Sequence, residues 1–216
     1  MQNLKNELTK EEKILDSFGA KLKDTNTEFY DSKFIKIYNV LKQHYKVSQV
    51  LKAGSFGKET KIELHGDMDI TFTIDKPKIT DVKEIREDLE EKLKGLNPKS
   101  YPKLKYVAVL IEYKNDFSID VVYLPKEDFE KEKKKFNHIK TINNQIKNII
   151  RLVKYWNYNK NEAKTMNYEI ELNAINSDAG TYRKRLRDTI NKSGGIGNVD
   201  DIYDYLYKEA GGIKIK

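Results

Sequence analysis

The chain contains 216 residues, of which 35% are charged and 38% are hydrophobic, and it contains no cysteine. A chain of this length can bury one α/β core with a helical annex but hardly three domains, and the lack of cysteine excludes disulfides and thiolate metal sites. The net charge of +7 and the pI near 9.1 favour polyanionic partners, although the Lys- and Asn-rich usage typical of an AT-rich genome explains both values equally well.

No apolar run in the sequence is long enough to cross a membrane. The residues that follow Met1 also lack the order of basic, apolar and small residues that marks a secretory signal. We therefore expect a soluble protein with a cytoplasmic location and no membrane partner.

The first part of the sequence predicts helices and a small mixed sheet. The predicted helices share apolar residues at three- and four-residue spacing, and they cover residues 4–22, 28–45 and 81–94. The predicted strands cover residues 47–53, 68–74, 106–113 and 118–124, and the alternation of β-branched and aromatic residues over 68–74 is the strongest of these signals. A loop with Pro98 and Pro102 precedes the third strand, and residues 114–116 are typical of a hairpin turn before the fourth.

Beyond Pro125 the pattern is helical almost throughout. The predicted helices cover residues 126–135, 139–157, 167–176, 182–192 and 200–209. The first of them is very highly charged, which is more typical of a solvated connecting helix than of a nucleic-acid patch. The change of pattern indicates a boundary near residue 130.

Three carboxylates on two predicted strands carry the strongest chemical signal. Asp67 and Asp69 are two residues apart, so on a strand both point to the same face. Asp120 lies in an apolar run of its own, and a neighbouring strand would bring it alongside that pair. Converging carboxylates repel unless a divalent cation lies among them, and hard oxygen ligands select Mg²⁺ or Mn²⁺. Because two such ions can clamp the attacking and leaving oxygens of a phosphoryl transfer, the pattern indicates metal-dependent transfer to or from a nucleotide.

Gly54 and Ser55 form a turn between the first two strands. A glycine lets the backbone approach a phosphate, and exposed amides with a hydroxyl make an anion-binding nest. An ordinary loop at these two positions and solvated acids at Asp67 and Asp69 are the plain alternatives. The repetition of the acidic pattern at Asp120 favours a binding site instead.

These residues resemble the motifs of the nucleotidyltransferase superfamily typified by DNA polymerase β. Members share a Gly-Ser turn, a paired acidic motif on the next strand and a third acid on a later strand. Gly54, Ser55, Asp67, Asp69 and Asp120 match those positions one by one. The resemblance implies that the three acids are the metal ligands and catalytic residues, and that the Gly-Ser turn binds nucleotide.

Two later segments resemble the bacterial cyclic-oligonucleotide synthases related to cyclic GMP-AMP synthase and oligoadenylate synthase. Residues 150–157 are similar to the helix of that family which bears a phosphate-binding lysine, so the resemblance implies that Lys154 approaches the triphosphate tail. Residues 166–172 are similar to the start of its next helix, where Asn167 stands in place of the usual serine and can still donate to a phosphate oxygen. The resemblance spans residues 45–176.

The resemblance implies an α+β fold: a small mixed β-sheet nucleotidyltransferase core with flanking N-terminal helices over residues 1–130, and a C-terminal helical lobe over 131–216 that closes the nucleotide cleft. The implied activity uses NTP substrates and two Mg²⁺ ions, with Mn²⁺ as an alternative, to make a cyclic or linear oligonucleotide signal of antiphage defence. Transfer of NMP to an RNA or tRNA end or to a protein side chain is the alternative, and RNA is then the acceptor or an activator. A catalytically inactive nucleotide- or RNA-binding relative is the other alternative, and no oligomeric state is favoured.

Overall fold

The computed structural model describes residues 7–62, 66–75, 81–96, 103–104, 108–113, 117–160, 165–177, 180–194 and 198–211. The chain forms two compact units. The sheet unit comprises Asp24–Glu59 and Glu63–Lys140, and the helical unit comprises Met1–Lys23, Thr60–Ile62 and Thr141–Lys216.

The sheet unit contains a five-stranded sheet in the order β1-β2-β5-β4-β3. The strands are β1 Val47–Ala53, β2 Gly66–Ile74, β3 Lys103–Leu104, β4 Val109–Glu112 and β5 Phe117–Tyr123. β2 and β5 pair in parallel, and the other pairs are antiparallel. The predicted mixed sheet is therefore confirmed. The strand β3 lies where the sequence predicts a loop. The sequence does not reveal this strand because two residues are too few to show an alternating pattern.

One face of the sheet packs on two helices, α2 Thr27–His44 and α4 Val82–Leu93, and this packing forms the core of the sheet unit. The core residues of β2 and β5 alternate along each strand, as expected for a sheet with one apolar face, and they are Met68, Ile70, Phe72, Ile74, Phe117, Ile119, Val121 and Tyr123. α4 begins at Asp81, whose carboxylate accepts hydrogen bonds from two backbone amides of the first turn. The buried face of β2 and β5 therefore fixes the other face as the one that carries their polar side chains.

A short helical turn, α3 Gly54–Gly57, follows β1, and α5 Lys126–Lys140 follows β5. α5 continues five residues past its predicted end because Phe136 and Ile139 are buried. The next helix begins at residue 144, not at 139 as predicted. Asn143 explains the break, because its side chain accepts a hydrogen bond from the amide of Gln145 as an N-cap does.

The helical unit contains five helices in its described part: α1 Lys10–Lys21, α6 Asn144–Lys160, α7 Asn167–Ile175, α8 Tyr182–Lys192 and α9 Val199–Glu209. α1 begins with a capping box in which Thr9 and Glu12 bond each other's backbone amides. α6 is buried along most of its length, which makes it the centre of this unit. Across the described residues, no helix is both long enough and apolar enough to span a bilayer.

The two compact units divide the sequence differently from the predicted boundary at residues 130 and 131. α1 groups with the C-terminal helices, and α5 groups with the sheet. Residues Thr60–Ile62 also belong to the helical unit, where Ile62 forms a single β-bridge with Lys23. The division into a nucleotidyltransferase core over 1–130 and a helical lobe over 131–216 stays a prediction, whereas the predicted α+β class is confirmed.

Gly19 is the point of close approach between α1 and α6. A Cβ atom at this position would lie 2.7 Å from the carbonyl oxygen of Asn148 and 2.9 Å from its Cβ. We expect Gly19→Ala to lower the free energy of unfolding by about 1–3 kcal/mol. The added methyl group would overlap the backbone of α6, and the energetic cost of this overlap exceeds the gain of about 1 kcal/mol in helix propensity. Urea denaturation measures this change. Gly95→Ala is the control, since a Cβ there meets no atom within 4 Å, and a Gly19→Ala protein as stable as the wild type would contradict the expectation.

Candidate active site

The three acids lie on the sheet face opposite the apolar core. Asp69 in β2 pairs with Asp120 in β5, and Asp67 pairs with Ser118, two residues earlier along both strands. Paired residues of parallel strands point to the same face, and so do residues two apart on one strand. Met68, between the two β2 acids, is buried in the core, whereas Asp67 is exposed and Asp69 and Asp120 are half-buried. The structure therefore places Asp69 and Asp120 side by side, with Asp67 next to them on the same face.

This placement fits a divalent cation by its donor atoms and by its spacing. Adjacent strands lie about 4.8 Å apart, and residues two apart on a strand lie about 6.6 Å apart, so carboxylates at these positions reach a common ion. As the side chains stand, no group of three or more His, Asp or Glu residues in the described ranges is arranged to hold a metal ion. The strand register thus supports the site, and the closing of the three carboxylates around an ion stays a prediction.

Gly54 brings the backbone of the Gly-Ser turn directly against Asp69. Ala53, the last residue of β1, pairs with Asp69 in the sheet, and α3 begins at the next residue. Gly54 has φ +62°, and a Cβ on it would lie 1.6 Å from Oδ2 of Asp69. Only glycine combines this left-handed conformation with so close an approach. The turn and the acidic pair are therefore in contact, as one local structure.

Packing on both sides holds the α3 turn in the sheet unit. The ring of Phe56 packs against the ring of Tyr30 in α2, with the centroids 4.4 Å apart. A Cβ on Gly57 would lie 1.8 Å from the carbonyl oxygen of Lys52, so the end of the turn is pressed against β1. Ser55 is half-buried within this turn. The turn is thus a fixed element rather than a loose loop.

The other two predicted nucleotide-binding residues, Lys154 and Asn167, belong to the helical unit. The side chain of Lys154 is 3% exposed, and its ammonium donates to Oε1 of Glu171 at 2.8 Å and to two oxygens of Thr60. Asn167 is the exposed first residue of α7. Sequence reasoning missed Glu171 and Thr60 as partners of Lys154. The available signal was a glutamate between the apolar residues Ile170 and Leu172 of a predicted helix.

Several solved structures share this fold at low sequence identity. The structure of CdnC with ATP from E. coli MS115-1 aligns with a TM-score of 0.60 at 16% identity, over 83% of this chain and 70% of that one. The CdnE cyclic dinucleotide synthase of Elizabethkingia meningoseptica, with GTP and Apcpp, aligns with a TM-score of 0.57 at 18% identity, over 86% of this chain and 83% of that one.

The Cid1 poly(U) polymerase aligns with a TM-score of 0.58 at 16% identity, over 76% of this chain but 53% of that one. No protein-family model and no curated protein matches the sequence. The fold is that of the nucleotidyltransferases, as the sequence predicts. A cyclic dinucleotide synthase and a poly(U) polymerase are both among the structures it resembles.

Proposed function

We propose that the protein is a divalent-metal-dependent nucleotidyltransferase that joins NTPs into a cyclic or linear oligonucleotide. One observation carries this proposal: Asp69 pairs with Asp120 across parallel strands while its carboxylate lies against Gly54. The arrangement places acidic side chains beside a turn suited to phosphate. The likeness to the folds of CdnC and CdnE supports the same activity.

Asp67, Asp69 and Asp120 would hold two Mg²⁺ ions, or Mn²⁺ ions, through their carboxylate oxygens. Bound there, the ions would neutralise the charge of the attacking and leaving oxygens. In the reaction a hydroxyl oxygen of the acceptor bonds to the α-phosphorus of an NTP, and the bond from that phosphorus to the bridging oxygen breaks, which releases pyrophosphate. Asp120 would take the proton of the attacking hydroxyl, since a carboxylate is a suitable general base at this point.

Gly54 and Ser55 would bind the triphosphate. Gly54 has a left-handed backbone and Ser55 follows in the helical turn, and consecutive residues of opposite hand direct their N–H groups into one anion-binding concavity. The Ser55 hydroxyl would add a donor to the same phosphate. Lys154 and Asn167 stay predictions from the resemblance, because both lie in the helical unit and Lys154 is bound to Glu171.

A nucleotide is the proposed acceptor rather than an RNA end. Residues 150–157 and 166–172 resemble segments of the cyclic-oligonucleotide synthases in particular, and the fold resembles those of CdnC and of the CdnE cyclic dinucleotide synthase, which together favour a nucleotide acceptor. An oligonucleotide made in this way would serve as a signal of antiphage defence in the cytoplasm, as the sequence resemblance implies.

Incubation of the purified protein with radiolabelled NTPs and Mg²⁺ tests the choice of acceptor. We expect labelled oligonucleotides without added RNA, and mass spectrometry of the products then gives their bases and linkage. Label attached to the RNA end would instead establish the terminal-transferase alternative, whereas oligonucleotides formed only in the presence of unlabelled RNA would make RNA an activator. If neither reaction proceeds and titration calorimetry detects no Mg²⁺-dependent NTP binding, the proposed enzyme is wrong and a non-catalytic role remains.

A further inference from the structure

The exposed face of α1 and the end of α9 form a groove of about 330 Å³, which we name the α1 groove. The residues that line it belong to the helical unit and include Lys10, Lys13, Ile14, Phe18, Lys21 and Ala210. By helical spacing the α1 residues among them share one face, and the buried residues Glu12, Leu15 and Gly19 occupy the opposite face. The α1 groove is therefore a surface feature of one unit, and it contains none of the candidate active-site residues.

The charged side chains of α1 are sorted by sign. Its three acids are bound by other parts of the helical unit, and the contacts are Glu11 with Arg183 at 3.8 Å, Glu12 with the amide of Arg183 at 2.9 Å and Asp16 with the side-chain amide of Asn148 at 2.8 Å. Its three lysines all line the groove and are exposed. Among the described residues, no carboxylate forms an ion pair with any of these lysines. The α1 groove therefore presents three positive charges that attract an acidic partner.

The floor of the groove between these lysines is apolar. Ile14 and Phe18 are half-buried and lie one helical turn apart. The ring of Phe18 meets the ring of Tyr155 in α6 edge-on, with the centroids 5.3 Å apart. The hydroxyl of Tyr155 in turn donates to the carboxylate of Glu209 in α9 at 2.9 Å. Contacts with two neighbouring helices thus hold the aromatic part of the floor in place.

An apolar centre with a charged rim is typical of a protein interface. A groove for single-stranded nucleic acid instead carries cations along the whole path of the phosphate backbone. Lys13 and Lys21 lie about 12 Å apart along the helix axis, with the apolar floor between them. An acidic amphipathic helix matches this pattern, because its apolar stripe can cover the floor while its carboxylates reach the lysines on the rim. The distribution of charge therefore favours a protein partner over nucleic acid.

We propose that the α1 groove docks an acidic amphipathic helix of a protein partner. Apolar side chains of that helix cover Ile14 and Phe18, and its carboxylates pair with Lys10, Lys13 and Lys21. The inference does not depend on the proposed function, because docking is measured as binding and requires no turnover of NTP.

A fluorescent helical peptide of about 20 residues, with one face of leucine and the other faces of glutamate, is the probe. We expect its fluorescence anisotropy to rise on binding to the full-length protein. Replacing all three lysines of the α1 groove by glutamine should weaken binding by about tenfold, since three exposed ion pairs are lost. The matched control makes the same change in net charge at three exposed lysines of α5, and these are Lys126, Lys134 and Lys135.

The control protein should bind the peptide as the wild type does. A wild type that does not bind the peptide, or equal weakening in both triple variants, would overturn the proposal. Polyglutamate of the same length tests the apolar floor without any substitution in the protein. It should bind the wild type about tenfold more weakly than the probe, because it brings no apolar face. Equal binding of the two would show that charge alone acts, and the proposed docking mode would then be wrong.

Ile14→Lys separates a protein partner from nucleic acid, because it removes an apolar side chain from the floor and adds a fourth positive charge. The peptide should bind this variant about tenfold more weakly than the wild type. A single-stranded RNA of about 20 nucleotides is the competing probe. RNA binding that is lost in the triple variant of the α1 groove and strengthened in Ile14→Lys would identify a nucleic-acid surface and overturn the proposal.

Discussion

Replacement of Asp69 by asparagine is expected to lower NTP turnover by about 10³-fold or more. Asparagine keeps the shape of the side chain but removes the charge that a divalent ion requires, and Asp69 is central because it lies between Gly54 and Asp120. Asp67→Asn combined with Asp69→Asn should abolish turnover. The measurement is the initial rate of pyrophosphate release with Mg²⁺ at saturating NTP.

The unfolding temperature provides an independent test of the same substitution. Three carboxylates on one sheet face repel one another without a cation, so Asp69→Asn should unfold at the same or a higher temperature than the wild type in EDTA. Mg²⁺ should raise the unfolding temperature of the wild type and not that of the variant, because an ion stabilises only the state that binds it. Asp75→Asn, at an exposed acid directly after β2, is the control and should behave as the wild type. Full turnover in Asp69→Asn would refute the metal assignment.

Gly54→Ala is the second change with a large expected effect. Its methyl group would lie 1.6 Å from Oδ2 of Asp69 at a backbone with φ +62°, so the carboxylate or the turn must move. We expect a loss of turnover of about 10²-fold from the displaced acid and turn, and a loss of about 1–3 kcal/mol in the free energy of unfolding from strain and overlap.

Substitutions at two other glycines separate the effect of backbone strain from the effect of steric overlap. Gly194 has φ +66° but a Cβ there would meet no atom closer than 4.0 Å, so Gly194→Ala adds backbone strain without overlap. Gly95→Ala adds neither. Turnover should fall only in Gly54→Ala, while unfolding free energy should fall in Gly54→Ala and, by about 1–2 kcal/mol, in Gly194→Ala. Equal turnover in all three variants would show that the contact of Gly54 with Asp69 is irrelevant to activity.

The sequence predicted those features that depend on neighbouring residues. The strand-like run over 47–53 predicted the bounds of β1, and the two-residue spacing of Asp67 and Asp69 predicted their common face. That Asp120 lies alongside Asp67 and Asp69 was expected if its strand neighbours theirs, and the resemblance to nucleotidyltransferases implied this, but periodicity within one strand did not specify Asp69 as its partner.

Long-range side-chain pairing was beyond such reasoning. Thr60 and Glu171 are 111 residues apart, and Lys154 and Glu171 are 17 apart on different helices. Local spacing predicted that Lys154 lies on a largely apolar helix, but it did not show which acid compensates its charge. The grouping of α1 with the C-terminal helices was missed for the same reason, since contacts such as that of Asp16 with Asn148 join distant segments.

Residues Thr60–Ile62 belong to the helical unit although the segments on both sides of them belong to the sheet unit, and this limits how the gene can recombine. No single cut in the gene separates the two units, because each is assembled from separate stretches of the sequence. A fragment that starts at residue 141 would keep Lys154 and Glu171 but lose the hydroxyl that both bind. Recombination at one breakpoint after residue 140 would therefore keep the sheet unit whole but divide the helical unit, so exchange between related genes should preserve the chain as one block.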